Sequence, residues 1–424
     1  MQMNETPSSN RIHIAFFGRR NAGKSCLVNA VTGQNTALVS GVKGTTTDPV
    51  YKAMELLPLG PVVIIDTPGY DDEGELGSMR VERTKQVLNK TDIAILVLDG
   101  ELPSETVLSA AEAELTGLFA AKRIPFIIVL NKSDIIQESD KKTLCTTEYP
   151  AQDSEIIPVS AKTGYNIQLL KETIASLADS NPQLSILNSK RLVAGLINPL
   201  DLVVLVIPID KAAPKGRLIL PQQQVIRDIL EAGACALAVR DTELRETLNR
   251  LDKKPSLVIT DSQVFAEAAA VVPNDVRLTS FSILFARYKG FLETAVKGAE
   301  ALNNISSGDK ILICEGCTHH RQCDDIGTVK LPRMIKNYSK QEPEFNFCSG
   351  GDFPSDLSQY KLIIHCGGCM LNEREMLHRQ GIAGEHGIPF TNYGITIAHI
   401  QGILERSVAV FNLPHAETHR RGEN

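Results

Sequence analysis

Tryptophan is absent from the 424 residues, and aromatic side chains make up only 5% of them. A broad base-stacking platform for single-stranded nucleic acid therefore has little to be built from. An excess of positive charge is also missing. Lys and Arg number 44 against 50 Asp and Glu, a formal net charge of −6, whereas a dedicated nucleic-acid binder is usually basic. No apolar run approaches the roughly 20 residues that span a bilayer; the longest, such as 202–207, are strand-length. Residues 1–10 are polar and lack an apolar core, so no signal peptide is expected. These absences predict a cytosolic chain with no membrane and no nucleic-acid partner. Thiols stay reduced there, so the nine cysteines read as metal ligands or core residues, not disulfides.

What is present is 43% hydrophobic and 22% charged, the balance of a globular chain long enough for two or three domains. The pattern predicts an α/β fold: a P-loop domain over 1–178, then two further α/β domains over 190–278 and 279–424. In the first, apolar runs at 12–17, 62–66, 93–98, 126–130 and 156–159 read as strands. Stretches such as 79–88 and 169–177 read as helices, the rhythm of a mostly parallel sheet. Residues 179–199 read as a linker. Strands at 202–209, 235–239 and 256–260 then alternate with helices at 222–232 and 242–251. This middle block has no phosphate loop and no His/Cys/carboxylate constellation, so it reads as a dimerisation module. The last block holds a helix at 281–302, strands at 310–313, 362–364 and 388–390, and a helix at 395–408.

Gly18-Arg19-Arg20-Asn21-Ala22-Gly23-Lys24-Ser25 matches G-x-x-x-x-G-K-[ST] between a strand and a helix. Its glycines let backbone N–H groups wrap phosphates, with Ala22 and Cys26 completing the nucleotide-contacting stretch. Lys24 brings a cation to the β/γ-phosphates and Ser25 ligands Mg²⁺. Asp66-Thr67-Pro68-Gly69 ends a strand; Asp66 is expected to hold Mg²⁺ through water, and the Gly69 N–H to meet the γ-phosphate. Asn131-Lys132-Ser133-Asp134 ends another. The Asp134 carboxylate can accept both N1–H and N2–H₂ of guanine, which adenine cannot offer, so GTP is the expected nucleotide. Ser160-Ala161-Lys162 adds backbone contacts to the base, and Thr46 in Gly44-Thr45-Thr46-Thr47-Asp48 is the expected switch threonine and second Mg²⁺ ligand.

Six of the nine cysteines lie between Cys314 and Cys369. Cys317-Thr318-His319 and His365-Cys366-Gly367-Gly368-Cys369 are separated by 45 residues, and each follows a predicted strand. Sites in open α/β sheets gather at the carboxyl ends of strands. Cys317, Cys366 and Cys369 offer three thiolates, with His319, Glu315 or His365 as a weaker fourth ligand. Such a set suits an iron–sulfur cubane with one labile iron, or a structural zinc with Cys₃His ligation. Cys314 reads as core. Cys323 and Cys348 read as solvent-facing, and Cys26, Cys145 and Cys235 as structural.

The nucleotide motifs resemble those of the TrmE–Era group of GTPases. That resemblance implies a bound K⁺ at Asn21, and Tyr70 stands where small Ras-like GTPases carry a water-orienting Gln. With the cysteine pattern added, the whole chain resembles the FeFe-hydrogenase maturation GTPases, the HydF family. The resemblance implies a 4Fe-4S cluster on the three cysteines and a homodimer or higher assembly. It implies a scaffold that takes a transient di-iron precursor from two radical-SAM maturases and delivers it to the FeFe-hydrogenase apoprotein. Two other functions fit parts of the pattern: an RNA-associated TrmE–Era-type GTPase with a Cys₃His zinc module, and a redox enzyme whose cluster shuttles electrons.

Overall fold

A computed structural model describes residues 6–33, 48–70, 75–101, 108–136, 156–182, 184, 190–209, 218–316 and 325–412, with backbone only for 75–80. Thr46, Cys145, Cys317, His319 and Cys323 lie outside the described residues. The chain divides into two compact units, Met1–Ser189 and Lys190–Asn424.

The first unit is a six-stranded sheet, β1 (Ile12–Phe17), β2 (Val50–Leu56), β3 (Gly60–Asp66), β4 (Ile93–Asp99), β5 (Phe126–Asn131) and β6 (Ile157–Pro158). Its order is β2-β3-β1-β4-β5-β6, and only β2 runs antiparallel to its neighbour. β1 is buried at every position and β4 at all but its last, as expected of continuous apolar runs with helices on both faces. Ile14 and Phe16 face one core with Leu27 and Val31 of the helix Lys24–Thr32. Ala15 and Phe17 face the other with Leu115 and Phe119 of the helix Ala110–Ala121. That helix starts with a capping box, Ser109 and Glu112 satisfying each other's backbone N–H.

The second unit holds two four-stranded sheets. One, ordered β10-β9-β7-β8, comprises β7 (Leu202–Val206), β8 (Cys235–Val239), β9 (Leu257–Thr260) and β10 (Arg277–Ser280). The other, ordered β12-β11-β13-β14, comprises β11 (Lys310–Glu315), β12 (Glu344–Ser349), β13 (Tyr360–His365) and β14 (Phe390–Asn392). All paired strands in both are parallel. One continuous core takes Val204, Val206 and Val258 from the first sheet and Ile311, Ile313 and Ile363 from the second. That shared core makes 190–424 one compact body although it has two sheets.

Two predicted helices are each broken in two. The segment 281–302 becomes Phe281–Tyr288 and Leu292–Ala299, separated at Gly290 with φ 80. The segment 395–408 becomes Tyr393–Ile400 and Leu404–Val408, separated at Gly402 with φ 70. Among the described residues no helix is long and apolar enough to cross a membrane.

Candidate functional site

The described nucleotide motifs fall at the carboxyl edge of the first sheet. The phosphate loop leaves β1, Asp66 ends the adjacent β3, Asn131 ends β5, and Ser160 lies just past β6. Gly23 has φ 85, and a Cβ there would collide with the Asn131 amide; only glycine lets the loop close so tightly on that side chain. The Asn131 amide in turn donates to the Ala22 carbonyl at 2.9 Å and accepts the Ala161 N–H at 3.1 Å. One side chain thus ties the phosphate loop to both guanine-reading loops. The Ser160 hydroxyl donates to Asp134 Oδ1 at 2.7 Å, which fixes the carboxylate expected to face guanine.

Lys24 is buried, and its Nζ donates to the Gly18 and Arg19 carbonyls at 3.0 and 2.8 Å. Gly69 lies against Arg20: a Cβ there would stand 3.0 Å from the Arg20 nitrogen. The Asp66–Gly69 loop and the phosphate loop therefore share one edge. Ser25 Oγ donates to Asp66 Oδ2 at 2.5 Å, while Asp66 Oδ1 is buried and accepts no hydrogen bond. A buried carboxylate oxygen without a donor, beside a hydroxyl, is the donor set a hydrated Mg²⁺ completes. Asn21 is exposed at φ 64. Lys132, also at positive φ, pairs with Asp99 and Glu101 at 3.0 Å each. Lys162 and Cys26 are exposed; Cys26 and Cys235, read as structural from sequence, are both surface thiols. Tyr70, next after Gly69, is buried in the core around Phe17 and Phe119.

Burial raises the Asp66 carboxyl above its usual range, with Ser25 and Lys24 offsetting part of the rise. A carboxyl with a raised folded value contributes its full stability below the unfolded pKa and loses it as pH rises through the folded value. At neutral pH the ionised Asp66 therefore costs stability in the ligand-free domain. Asp66→Asn keeps an acceptor for Ser25 without the charge. Its thermal midpoint without nucleotide is expected to rise by about 2–4 °C for each kcal/mol recovered, while Mg²⁺-dependent stabilisation by nucleotide disappears. A lower midpoint in differential scanning fluorimetry would contradict this.

The described ends of the two cysteine motifs, Gly316 and Cys366, lie together at the carboxyl edge of the last sheet. β11 and β13 are neighbours with Cys314 opposite His365, and the Cys366 N–H donates to the Cys314 carbonyl at 2.8 Å. The Cys366 sulfur accepts N–H from Gly316 at 3.1 Å and from Gly368 at 3.4 Å. Gly316 immediately precedes Cys317 in the chain, so the sheet register brings the residue before the first motif to the Cys366 sulfur. Gly368 has φ 66 and a Cβ there would meet Met376 Sδ at 2.7 Å, so the turn between Cys366 and Cys369 needs glycine. Burial pushes the Cys366 thiol up, and the two N–H bonds pull it back. Backbone donors of this kind favour a thiolate. Cys366 and Cys369 are both half-buried. Among the described residues no group of three His, Cys, Asp or Glu side chains converges as a metal site; the expected set includes Cys317 and His319, which lie outside them.

His365, a candidate fourth ligand by sequence, has neither ring nitrogen free. Nδ1–H donates to the Cys366 carbonyl at 2.9 Å and Nε2 accepts from Arg379 Nη1 at 3.1 Å. Burial and then the Arg379 charge push its pKa down to about 3, so it stays neutral. Arg379 is itself buried. It also donates to Glu375 at 2.9 Å and to the Gly350 carbonyl at 2.5 Å. It is a strut joining the exits of β12 and β13 to the helix Glu373–Glu385, and no local sequence signal distinguishes it. Glu315 is buried, with the Tyr393 hydroxyl 3.5 Å from Oε1. Cys314 is core, as expected. Cys348, read as solvent-facing, is instead buried on β12 directly opposite Cys314.

The first sheet and its edge define a P-loop GTPase domain, followed by two smaller α/β sheets. Family models match in the same order: a 50S ribosome-binding GTPase over residues 13–132, a hydrogen maturase F dimerization domain over 192–290, and a hydrogen maturase F tetramerization domain over 293–410. The chain belongs to the hydrogen maturase F family, with a TrmE/Era-type GTPase domain. Curated relatives include the GTPase Der of Wolinella succinogenes, 34% identical over 209 residues, covering 47% of this chain and 43% of that protein. They also include the tRNA modification GTPase MnmE of Hamiltonella defensa, 33% identical over 160 residues, covering 38% of this chain and 33% of that one. The chain thus spans less than half the length of these relatives. A solved structure of an Era variant from Aquifex aeolicus aligns at 20% identity and TM-score 0.36, covering 61% of this chain and 97% of that one.

Proposed function

We propose that this protein is a GTP-hydrolysing cytosolic scaffold for metal-cluster assembly. It carries a 4Fe-4S cluster and passes a di-iron precursor to FeFe-hydrogenase. One observation carries the reading: the Gly316 N–H on the Cys366 sulfur puts the residue before Cys317 at the Cys366-x-x-Cys369 turn. Cys317, Cys366 and Cys369 would hold the cluster, with His319 or Glu315 at the fourth corner. When bound, the cluster offers one iron whose ligand can exchange, which suits docking and release of a guest. This chain's own part is to bury the site, orient the turn through Arg379 and His365, and keep Glu315 beside the Tyr393 hydroxyl. Two maturases of the radical-SAM class would supply the guest, and residues 190–278 would pair two copies. The test is activation of hydrogenase lacking its di-iron unit by this protein purified from cells that contain both maturases. Activation supports the reading; an inert protein that nevertheless holds a full cubane would sink the carrier role.

At the other site, Asp134 selects guanine, Lys24 and the phosphate loop hold the phosphates, Gly69 meets the γ-phosphate, and Ser25, Thr46 and Asp66 place Mg²⁺. With Tyr70 buried where a water-orienting Gln would stand, a K⁺ at Asn21 supplies the positive charge for hydrolysis. Turnover is expected to be slow and faster in K⁺ than in Na⁺. Equal rates in the two salts at matched ionic strength would remove the cation role.

A further inference from the structure

Two thiols outside the cluster motif lie side by side beneath it. Cys314 on β11 and Cys348 on β12 are paired in register on parallel strands, so their side chains leave the same face of the sheet. Neighbouring strands lie about 4.8 Å apart, within the roughly 4.4–6.8 Å Cα separation that a disulfide bridges. The two side chains are in hydrogen-bond contact. Their access differs. Cys314 is 0% exposed, whereas Cys348 is 7% exposed on β12, the edge strand of the sheet. Packing alone would be met by alanine or valine at either position. A thiol facing a thiol at bridging distance can close a disulfide once one of the two is oxidised.

We propose that Cys314 and Cys348 form a redox-active dithiol that a small peroxide converts to an intramolecular disulfide. The Cys348 sulfur attacks one oxygen of ROOH. The S–O bond forms, the O–O bond breaks, and RO⁻ leaves as ROH with the Cys348 proton. The Cys314 sulfur then attacks Cys348 Sγ. The S–S bond forms, the S–O bond breaks, and hydroxide leaves as water with the Cys314 proton. Two thiols and ROOH become one disulfide, ROH and water, with two electrons passing from sulfur to peroxide. The new bond ties the exit of β11, which carries Glu315 and Gly316, to β12. There Gly350 already donates its N–H to the Glu315 carbonyl at 2.9 Å. Oxidation is therefore registered at the entrance to the Cys366 turn.

The dithiol does not depend on the cluster reading, and its test uses metal-free protein. The full-length chain is treated with hydrogen peroxide, its free thiols are blocked with N-ethylmaleimide under denaturing conditions, and unreduced peptides are mapped by tandem mass spectrometry. Free Cys348 is expected to be lost in favour of a peptide bridged to Cys314, with the bridge retained in Cys317→Ser and reversed by dithiothreitol. Cys348 that remains fully alkylated after oxidation, or that bridges only to Cys317, would overturn the proposal. Because the decisive measurement is made on the unmodified protein, a variant that fails to fold leaves it falsifiable.

Discussion

Lys24→Ala is expected to lower GTP turnover by about 10²–10³-fold, the usual loss when one fixed transition-state donor is removed. The ammonium is already seated in the ligand-free loop, held by the Gly18 and Arg19 carbonyls and nearly out of contact with water. Nucleotide has only to take over these donors, so little reorganisation is needed. No other cation in the phosphate loop is placed this way. Arg19 and Arg20, in the same loop, are half-buried and exposed, whereas Lys24 is buried at the start of the helix Lys24–Thr32. Phosphate release and fluorescent-nucleotide titration on a variant with unchanged circular dichroism would read the loss. Near-normal turnover would mean that the phosphates sit elsewhere.

Cys366→Ala is expected to leave the protein without a cluster and unable to activate hydrogenase, while GTP turnover persists. The Cys366 sulfur has two backbone donors aimed at it. Its removal deletes a ligand and leaves the buried Gly316 N–H without that acceptor, a cost of about 1–3 kcal/mol. The nucleotide site belongs to a different compact unit with its own core, so hydrolysis has no reason to fail with the cluster. Iron and acid-labile sulfide at background would bear this out. A variant that still holds a full cubane and matures hydrogenase would sink the site assignment.

The legible parts of the chain were those whose signal is local. The phosphate loop, Asp66-Thr67-Pro68-Gly69 and Asn131-Lys132-Ser133-Asp134 are contiguous, and the strands that position them are continuous apolar runs. β1 and β8 have the bounds that hydrophobic pattern predicts. β2 and β12 escaped because edge strands bury few side chains, six of seven positions on β2 and five of six on β12 being only partly covered or exposed. Missing β12 also misplaced Cys348, whose burial exists only once β11 lies beside it. Arg379 stands 14 positions beyond His365, in the helix Glu373–Glu385, which the sequence reading did not include. Its role comes from the helix packing across the ends of β12 and β13, which no spacing rule encodes. The breaks at Gly290 and Gly402 were missed for a different reason: apolar periodicity continues through both, and only the positive φ interrupts the hydrogen-bond ladder.

The central claim is that a GTPase domain and an iron–sulfur cluster site share this chain, and one spectrum tests it most directly. The protein is reconstituted anaerobically with iron and sulfide, then reduced and examined by EPR with parallel iron, sulfide and zinc analysis. The account predicts a brown protein with about four iron and four sulfide per chain and a reducible cubane signal that changes, without vanishing, in His319→Ala. A colourless, EPR-silent protein carrying one tightly bound zinc would contradict it and favour a GTPase with a structural zinc module.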